Sequence, residues 1–251
     1  MRALNACRFI LKSILSERAT GLFIVLAVIF LTLSLSLSDI NIAVKYKLLE
    51  DALLASQSFI MTLSAVFYAF LMMEKERKGG IFVFIFVGGC NRGEYLLSQF
   101  MALFTLISLI LAAFLAVDAI FLSVFAEGIN EGFLSRLTLS ALASSLLGFL
   151  TLTLSRFVSN TNSVIYAIFL FFIGSGADEL MLYASEENSI AAKALSQTVY
   201  YLLPNFSFFD PLAITVAFSK EFFALLYFGL YGSLLFFAAH FKFKKEVLRV
   251  G

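Results

Sequence analysis

Charge is scarce in this chain. Only 14% of its 251 residues are charged, against about a quarter in soluble domains. The eighteen Lys and Arg nearly balance seventeen Asp and Glu, and a net charge of +1 removes the electrostatic basis for nucleic-acid binding. There is one histidine, His240, and there are two cysteines, Cys7 and Cys90. No Cys/His/Met cluster has ligand spacing, so no resident metal is expected. His240 ends an apolar run beside Phe241 and Lys242 and reads as a snorkelling side chain. The cysteines are far apart and unmotivated as a pair. Both fall in segments assigned below to the cytoplasm, where reduced thiols are the default. Ser, His and Asp assemble no triad, no paired intramembrane aspartates suggest a protease, and no G-x-x-x-x-G-K-[ST] phosphate loop occurs. The chain is therefore not expected to be an enzyme, nor to hydrolyse ATP itself. Internal repeats and low-complexity linkers are absent as well.

What is plentiful is apolar surface. Apolar residues make up 61% of the chain, and Phe alone occurs 31 times, more than a soluble fold of this size hides without large exposed patches. The runs are long rather than alternating, which predicts an all-α integral membrane protein with a single transmembrane domain over 1–251. At about 20 residues per crossing, six spans are expected near 20–38, 53–73, 95–117, 137–155, 163–182 and 221–240. Asp178 and Glu179 cut the fifth short. Residues 1–19 carry Arg2, Arg8, Lys12 and Arg18, with Leu4, Cys7, Leu11, Ile14 and Leu15 at helical spacing. They read as an amphipathic helix lying on the membrane face. The run that follows is too long for a signal-peptide core and no A-x-A site follows it, so it is expected to remain as an uncleaved span.

With the N-terminus inside, all but five of the eighteen basic residues fall in cytoplasmic segments, the exceptions being Lys45, Lys47, Arg136, Lys193 and Lys220. The positive-inside bias then puts both termini in the cytoplasm, and Cys90 on the inner face. On the outer side, residues 183–220 start polar and turn aromatic around Pro204 and Pro211, the only prolines. Two prolines and Asp210 oppose a continuous span. A surface helix near 188–202 is expected, followed by short, broken, re-entrant pieces that include Pro204, Asn205 and Pro211. Asp118, Asp178, Glu179 and Glu221 read as solvated helix ends, with Glu221 alternatively facing a water-filled vestibule between subunits. Gly174, Gly176, Gly229 and Gly232 permit close helix contact and suggest a dimer face.

The connection between the second and third spans is unusual. A charged cluster, Glu74-Lys75-Glu76-Arg77-Lys78, runs into two glycines and the apolar stretch Ile81–Val87, and the chain reopens on Gly-Gly-Cys-Asn-Arg-Gly-Glu. One reading is a loop whose apolar stretch rests on lipid headgroups. Another is a short helix filling a groove on a partner, with the flanking charges as a wet rim. The order of cluster, Gly80, apolar run, breaker at Gly89 and Arg92-Gly93-Glu94 resembles the permease subunits of ABC-2 type transporters. So do the amphipathic N-terminus, the six spans and "LLPNF" before the last span. The charge cluster and external segment are also similar to the subgroup of nitrous-oxide-reductase copper-maturation permeases, although the poverty of His, Cys and Met argues against metal passing through the chain.

The resemblance implies a multi-pass permease of a cell membrane, such as a bacterial inner membrane, that exports its cargo. It implies a separate ABC ATPase subunit carrying ATP and Mg, a second permease copy or a similar permease as dimer partner, and surrounding lipid. The segment 74–94 becomes a coupling helix seated on the ATPase. Glu74, Glu76, Arg77, Lys78, Arg92 and Glu94 form its polar rim, Lys75 stands among those charges, and Phe82, Phe84 and Phe86 are the anchors. The competing expectation is a non-transporting membrane scaffold or assembly factor that docks another partner through the same segment.

Overall fold

The computed structural model describes residues 2–17, 21, 25, 28, 29, 32, 45–78, 90–125, 131–186, 190–209 and 218–247. Its helices are α1 (Arg2–Leu15), α2 (Lys45–Lys78), α3 (Arg92–Phe125), α4 (Glu131–Leu154), α5 (Asn160–Ser175), α6 (Ala177–Glu186), α7 (Ile190–Leu202), a 3-10 helix (Phe206–Phe209) and α8 (Phe218–Val247). Among the described residues there is no strand. Four stretches are long and apolar enough to cross a membrane: Glu50–Arg77, Arg92–Ala119, Gly132–Leu154 and Glu221–Phe243. A fifth counts if α5 and α6, bent by 49°, are taken as one broken crossing. Most of the expected first span, 20–38, lies outside the described residues.

The bundle is organised around α4. The most apolar window of α4 is 78% buried, whereas that of α8 is 17% buried, so α4 is central and α8 peripheral. Helix α4 packs on α2, α8, α3, α5 and the 3-10 helix. Its contact with α2, the most extensive in the fold, is a seam of small polar side chains. Ser58 and Ser140 hydroxyls meet at 2.7 Å, and Thr62 and Ser144 at 3.2 Å. One turn further on, Gly148 faces the Ala65 carbonyl, 3.3 Å from where a Cβ would stand. The i, i+4, i+8 spacing of Ser140, Ser144 and Gly148 places all three on one face. In lipid, helix association depends on close backbone approach and interhelical hydrogen bonds rather than on the hydrophobic effect. This stripe supplies both.

Peripheral α8 is held by rings. Phe100 of α3 lies 4.6 Å from Phe149 of α4 and 5.8 Å from Phe236 of α8, while Phe228 meets both Phe104 and Phe149 at 5.8 Å. Its other face carries Phe222, Phe223, Leu230, Leu234 and Phe241, all exposed, as an outward apolar stripe requires of a helix in lipid.

The fifth span expected near 163–182, cut short at Asp178 and Glu179, is broken at Gly176 into α5 and α6. Residues Gly176–Asp178 do not merely end a span. The Gly176 N–H still bonds to Phe172 O at 3.2 Å, while its own carbonyl accepts from Leu180 N at 2.9 Å. One glycine thus closes α5 and opens α6, whose first turn holds Asp178 and Glu179 where the helix dipole favours acids. Further along, α7 stops at Leu202, before Pro204, and the chain continues as irregular backbone into the 3-10 helix. Residues 210–217, including Pro211, lie outside the described residues.

Candidate functional site

The basic cluster of α2, the start of α3, the end of α4 and the end of α8 meet at one end of the bundle, and a polar node ties them together. At the start of α3, Glu94 caps the helix: the Asn91 N–H donates to Glu94 Oε2 at 2.8 Å, and the Asn91 carbonyl accepts the first helical bond from Tyr95 N at 2.9 Å. That fixes the first turn, so Tyr95 and Gln99, four residues apart, point the same way into the bundle. On the other side, α4 unwinds through Ser155–Val158, and Ser159 caps α5. Arg156 sits in that turn.

The Arg156 guanidinium holds Glu76 with both forks, Nη1 to Oε1 at 2.6 Å and Nη2 to Oε2 at 2.7 Å, and Nη2 also donates to Gln99 Oε1 at 2.8 Å. Gln99 Nε2 donates to Glu76 Oε2 and to the Tyr95 hydroxyl oxygen, each at 2.9 Å. Phe243 of α8 lies under the guanidinium, 4.9 Å from its carbon. The Arg156 and Glu76 side chains are only 9% and 10% exposed. The bidentate geometry and the extra hydrogen bonds offset the desolvation that weakens most buried pairs. Four helix ends are thereby joined through one ion pair.

Helix α1 is fastened beside this node. Lys75 donates to the Ser13 carbonyl at 2.5 Å and to its hydroxyl at 3.0 Å, and pairs with Glu17 at 2.7 Å. The buried stripe of α1 is Ala6, Cys7, Ile10 and Ile14, packed mainly on α3. Leu4 and Leu15, expected on that stripe, are turned outward and are each 48% exposed. Burial pushes the Cys7 thiol up from its ordinary range.

The residues expected to meet a partner divide three ways. Arg77 is exposed, while Glu74 and Arg92 are half-buried. Glu76 turns inward to Arg156 and does not stand on an open rim, whereas half-buried Glu94 accepts from the Asn91 N–H in an exposed hydrogen bond at the start of α3. Lys78 closes α2 without a described side chain, and Phe82, Phe84 and Phe86 lie outside the described residues. Lys75, counted among the rim charges, is committed to α1.

At the opposite end, Pro204 and Asn205 are buried. The Asn205 N–H donates to the Tyr227 hydroxyl oxygen at 2.7 Å, and its amide donates to Asp178 at 3.3 Å. The Ser207 hydroxyl reaches the other Asp178 oxygen at 2.6 Å. Asp178 is thus a clamp on the 204–207 turn rather than a bare helix end. Gly174 backs that turn: a Cβ there would collide with the Pro204 carbonyl and the Phe206 ring. Its use is internal, whereas Gly229 has open space around it. Glu221 accepts a short hydrogen bond from Ser135. It borders a cleft of about 220 Å³ shared by α3, α4 and α8, with Ser108, Thr138 and Ser145 among the lining side chains.

Asp118 requires the largest correction. Read as a solvated end, it is instead 1% exposed, because α3 continues past it to Phe125 and turns it toward Gln57 of α2, whose amide donates to it at 2.6 Å. Sequence reasoning also passed over Arg156, Gln99 and Tyr95. A charged residue at the end of an apolar run looks like a membrane-edge residue, and only the turn geometry aims it inward. Among the described residues, no group of three or more His, Cys, Asp and Glu could hold a metal. No protein-family model matches the chain, and no curated protein matches it.

Proposed function

We propose that the chain is the membrane-spanning permease subunit of an ATP-driven transporter of the ABC-2 type, with its basic end in the cytoplasm. It works as an exporter with a separate ATPase subunit and a second copy of itself or a similar permease. The observation that carries this reading is the node of Glu76, Gln99, Tyr95 and Arg156. The connection 79–89 leaves α2 and returns to α3 at this node, so a push on that segment is delivered to α2, α3, α4 and α8 together instead of to one helix end. A headgroup-resting loop needs no such anchorage. Helix α1, stapled to the same place through Lys75, adds a second lever on the membrane face. Helices with exposed Phe and Leu stripes suit a multi-pass membrane protein. The mainly apolar cleft beside Glu221 suits a lipid, hydrophobic peptide or drug better than a metal ion.

The test is co-purification of full-length protein with the products of its neighbouring genes, followed by reconstitution and a cargo-dependent ATPase assay. Truncating a buried aromatic anchor costs about 2 kcal/mol or more, roughly thirtyfold in affinity, whereas an exposed rim charge is worth about 1 kcal/mol or less. Phe84→Ala or Phe86→Ala should therefore release the ATPase or uncouple it, with the permease still inserted, and Arg77→Ala should do little. Full ATPase binding and coupled transport by both Phe variants would make 79–89 an ordinary loop. A co-purifying partner without ATPase activity would favour a scaffold.

A further inference from the structure

Two oxygens within the bundle lack a donor. Gln57 and Asp118 lie inside the apolar stretches Glu50–Arg77 and Arg92–Ala119, 0% and 1% exposed. Gln57 Nε2 donates to Asp118 Oδ1, yet Asp118 Oδ2 and Gln57 Oε1 are both buried without a hydrogen-bond partner. A carboxylate and an amide oxygen can only accept, and apolar surroundings penalise an acceptor left without a donor. A hydrogen on Oδ2, donated to Gln57 Oε1, would satisfy both. Together with the amide N–H donated to Oδ1, it would close a ring of two hydrogen bonds between one acid and one amide.

We propose that Asp118 and Gln57 form a proton-binding site within the helix bundle, with the proton on Asp118 and the Gln57 amide holding it from α2. A hard divalent cation fits less well, since such ions take six or more oxygen ligands and the pair offers two unpartnered ones. Among the described side chains no cation pairs with Asp118. On the helices packed against α3, the described ionisable side chains toward this end are Glu50 and Asp51 of α2, Arg136 of α4 and Glu221 of α8. The side chains of Lys45 and Lys47 of α2, Glu131 of α4 and Lys220 of α8 lie outside the described residues. Arg136 pairs with Asp51 at 3.9 Å, and Glu221 takes the Ser135 hydroxyl. The site joins α2 to α3 and does not rest on the transport reading. A proton here is a latch between two crossing helices, released when they part and water reaches the carboxyl.

Full-length protein in lipid nanodiscs, carrying carboxyl-¹³C aspartate, tests this by infrared spectroscopy. A protonated-carboxyl band with the aspartate isotope shift is expected at neutral pH. It should vanish in Asp118→Asn and move to higher frequency in Gln57→Leu, which removes both hydrogen bonds. The amide of Asp118→Asn can close the same ring, so its thermal midpoint should match the wild type. If that variant does not fold, the labelled wild type and Gln57→Leu still decide the matter. Absence of the band at neutral pH overturns the proposal. So does a band that sodium chloride erases and choline chloride does not, which would make this a sodium site.

Discussion

A single missing methyl group decides how the acidic end of the bundle closes. Gly174 lets the end of α5 lie against the Pro204 carbonyl, where a Cβ would meet fixed backbone and the Phe206 ring. Backbone cannot step aside as a side-chain tip can, and overpacking of this kind costs about 1–3 kcal/mol. Gly174→Ala is expected to lower the thermal midpoint of the detergent-solubilised protein. Gly229→Ala, made where nothing stands within 4 Å, should leave it unchanged or raise it slightly through helix propensity. Equal effects at the two glycines would mean that α5 and the 204–206 turn do not touch. Nothing in the residue types separates these glycines. Both sit in apolar helices, and only the neighbour brought up by the rest of the chain distinguishes them. The same blindness hid Asp118. Hydropathy reports that a carboxyl lies near the end of an apolar run, but whether it meets water depends on the rotation of α3 against α2.

At the level of elements, what was legible is what composition controls. Among the described residues the long apolar runs are helices, α7 stops ahead of Pro204, and the chain around "LLPNF" is broken, because Pro has no N–H to continue a ladder. The outward rotation of Leu4 and Leu15 was not legible, since α1 has apolar residues on two sides and its burial is set by where Lys75 reaches Ser13 and Glu17. The ion pair behind the basic cluster was hidden too: Glu76 and Arg156 are 80 residues apart. Breaking a buried pair by removing one partner costs about 3–5 kcal/mol, whereas replacing both with apolar residues is often nearly neutral. Arg156→Met and Glu76→Leu should each destabilise strongly, and the double variant should be more stable than either single one, as read from thermal unfolding. Additive losses would show that the two side chains act independently. Lys75→Ala should leave the bundle intact and loosen α1, measured as faster amide exchange over 2–15 at an unchanged midpoint. Unchanged exchange there would show that Lys75 is a rim charge after all.

The whole molecule has a basic and an acidic end, and the proposed mechanism requires the basic end to face the cytoplasm. The native thiols are poor reporters of this. Cys90 is only 7% exposed and Cys7 6%, and burial raises the Cys7 thiol. A raised value leaves less thiolate at any given pH, and thiolate is the reacting form. Cys7 should therefore alkylate slowly in the native protein and at the ordinary rate once sodium dodecyl sulfate unfolds it. Orientation is better read from single cysteines in a Cys7→Ser, Cys90→Ser background. Arg77 is exposed beside the node, and Tyr183, 64% exposed, lies on α6 at the far end. The positive-inside bias predicts that Tyr183→Cys reacts with an impermeant maleimide on intact cells, while Arg77→Cys reacts only after permeabilisation. The reverse pattern would put segment 79–89 outside the cell, where no ATPase could push on it. The node would then be a structural clasp, and the permease reading would lose its mechanism.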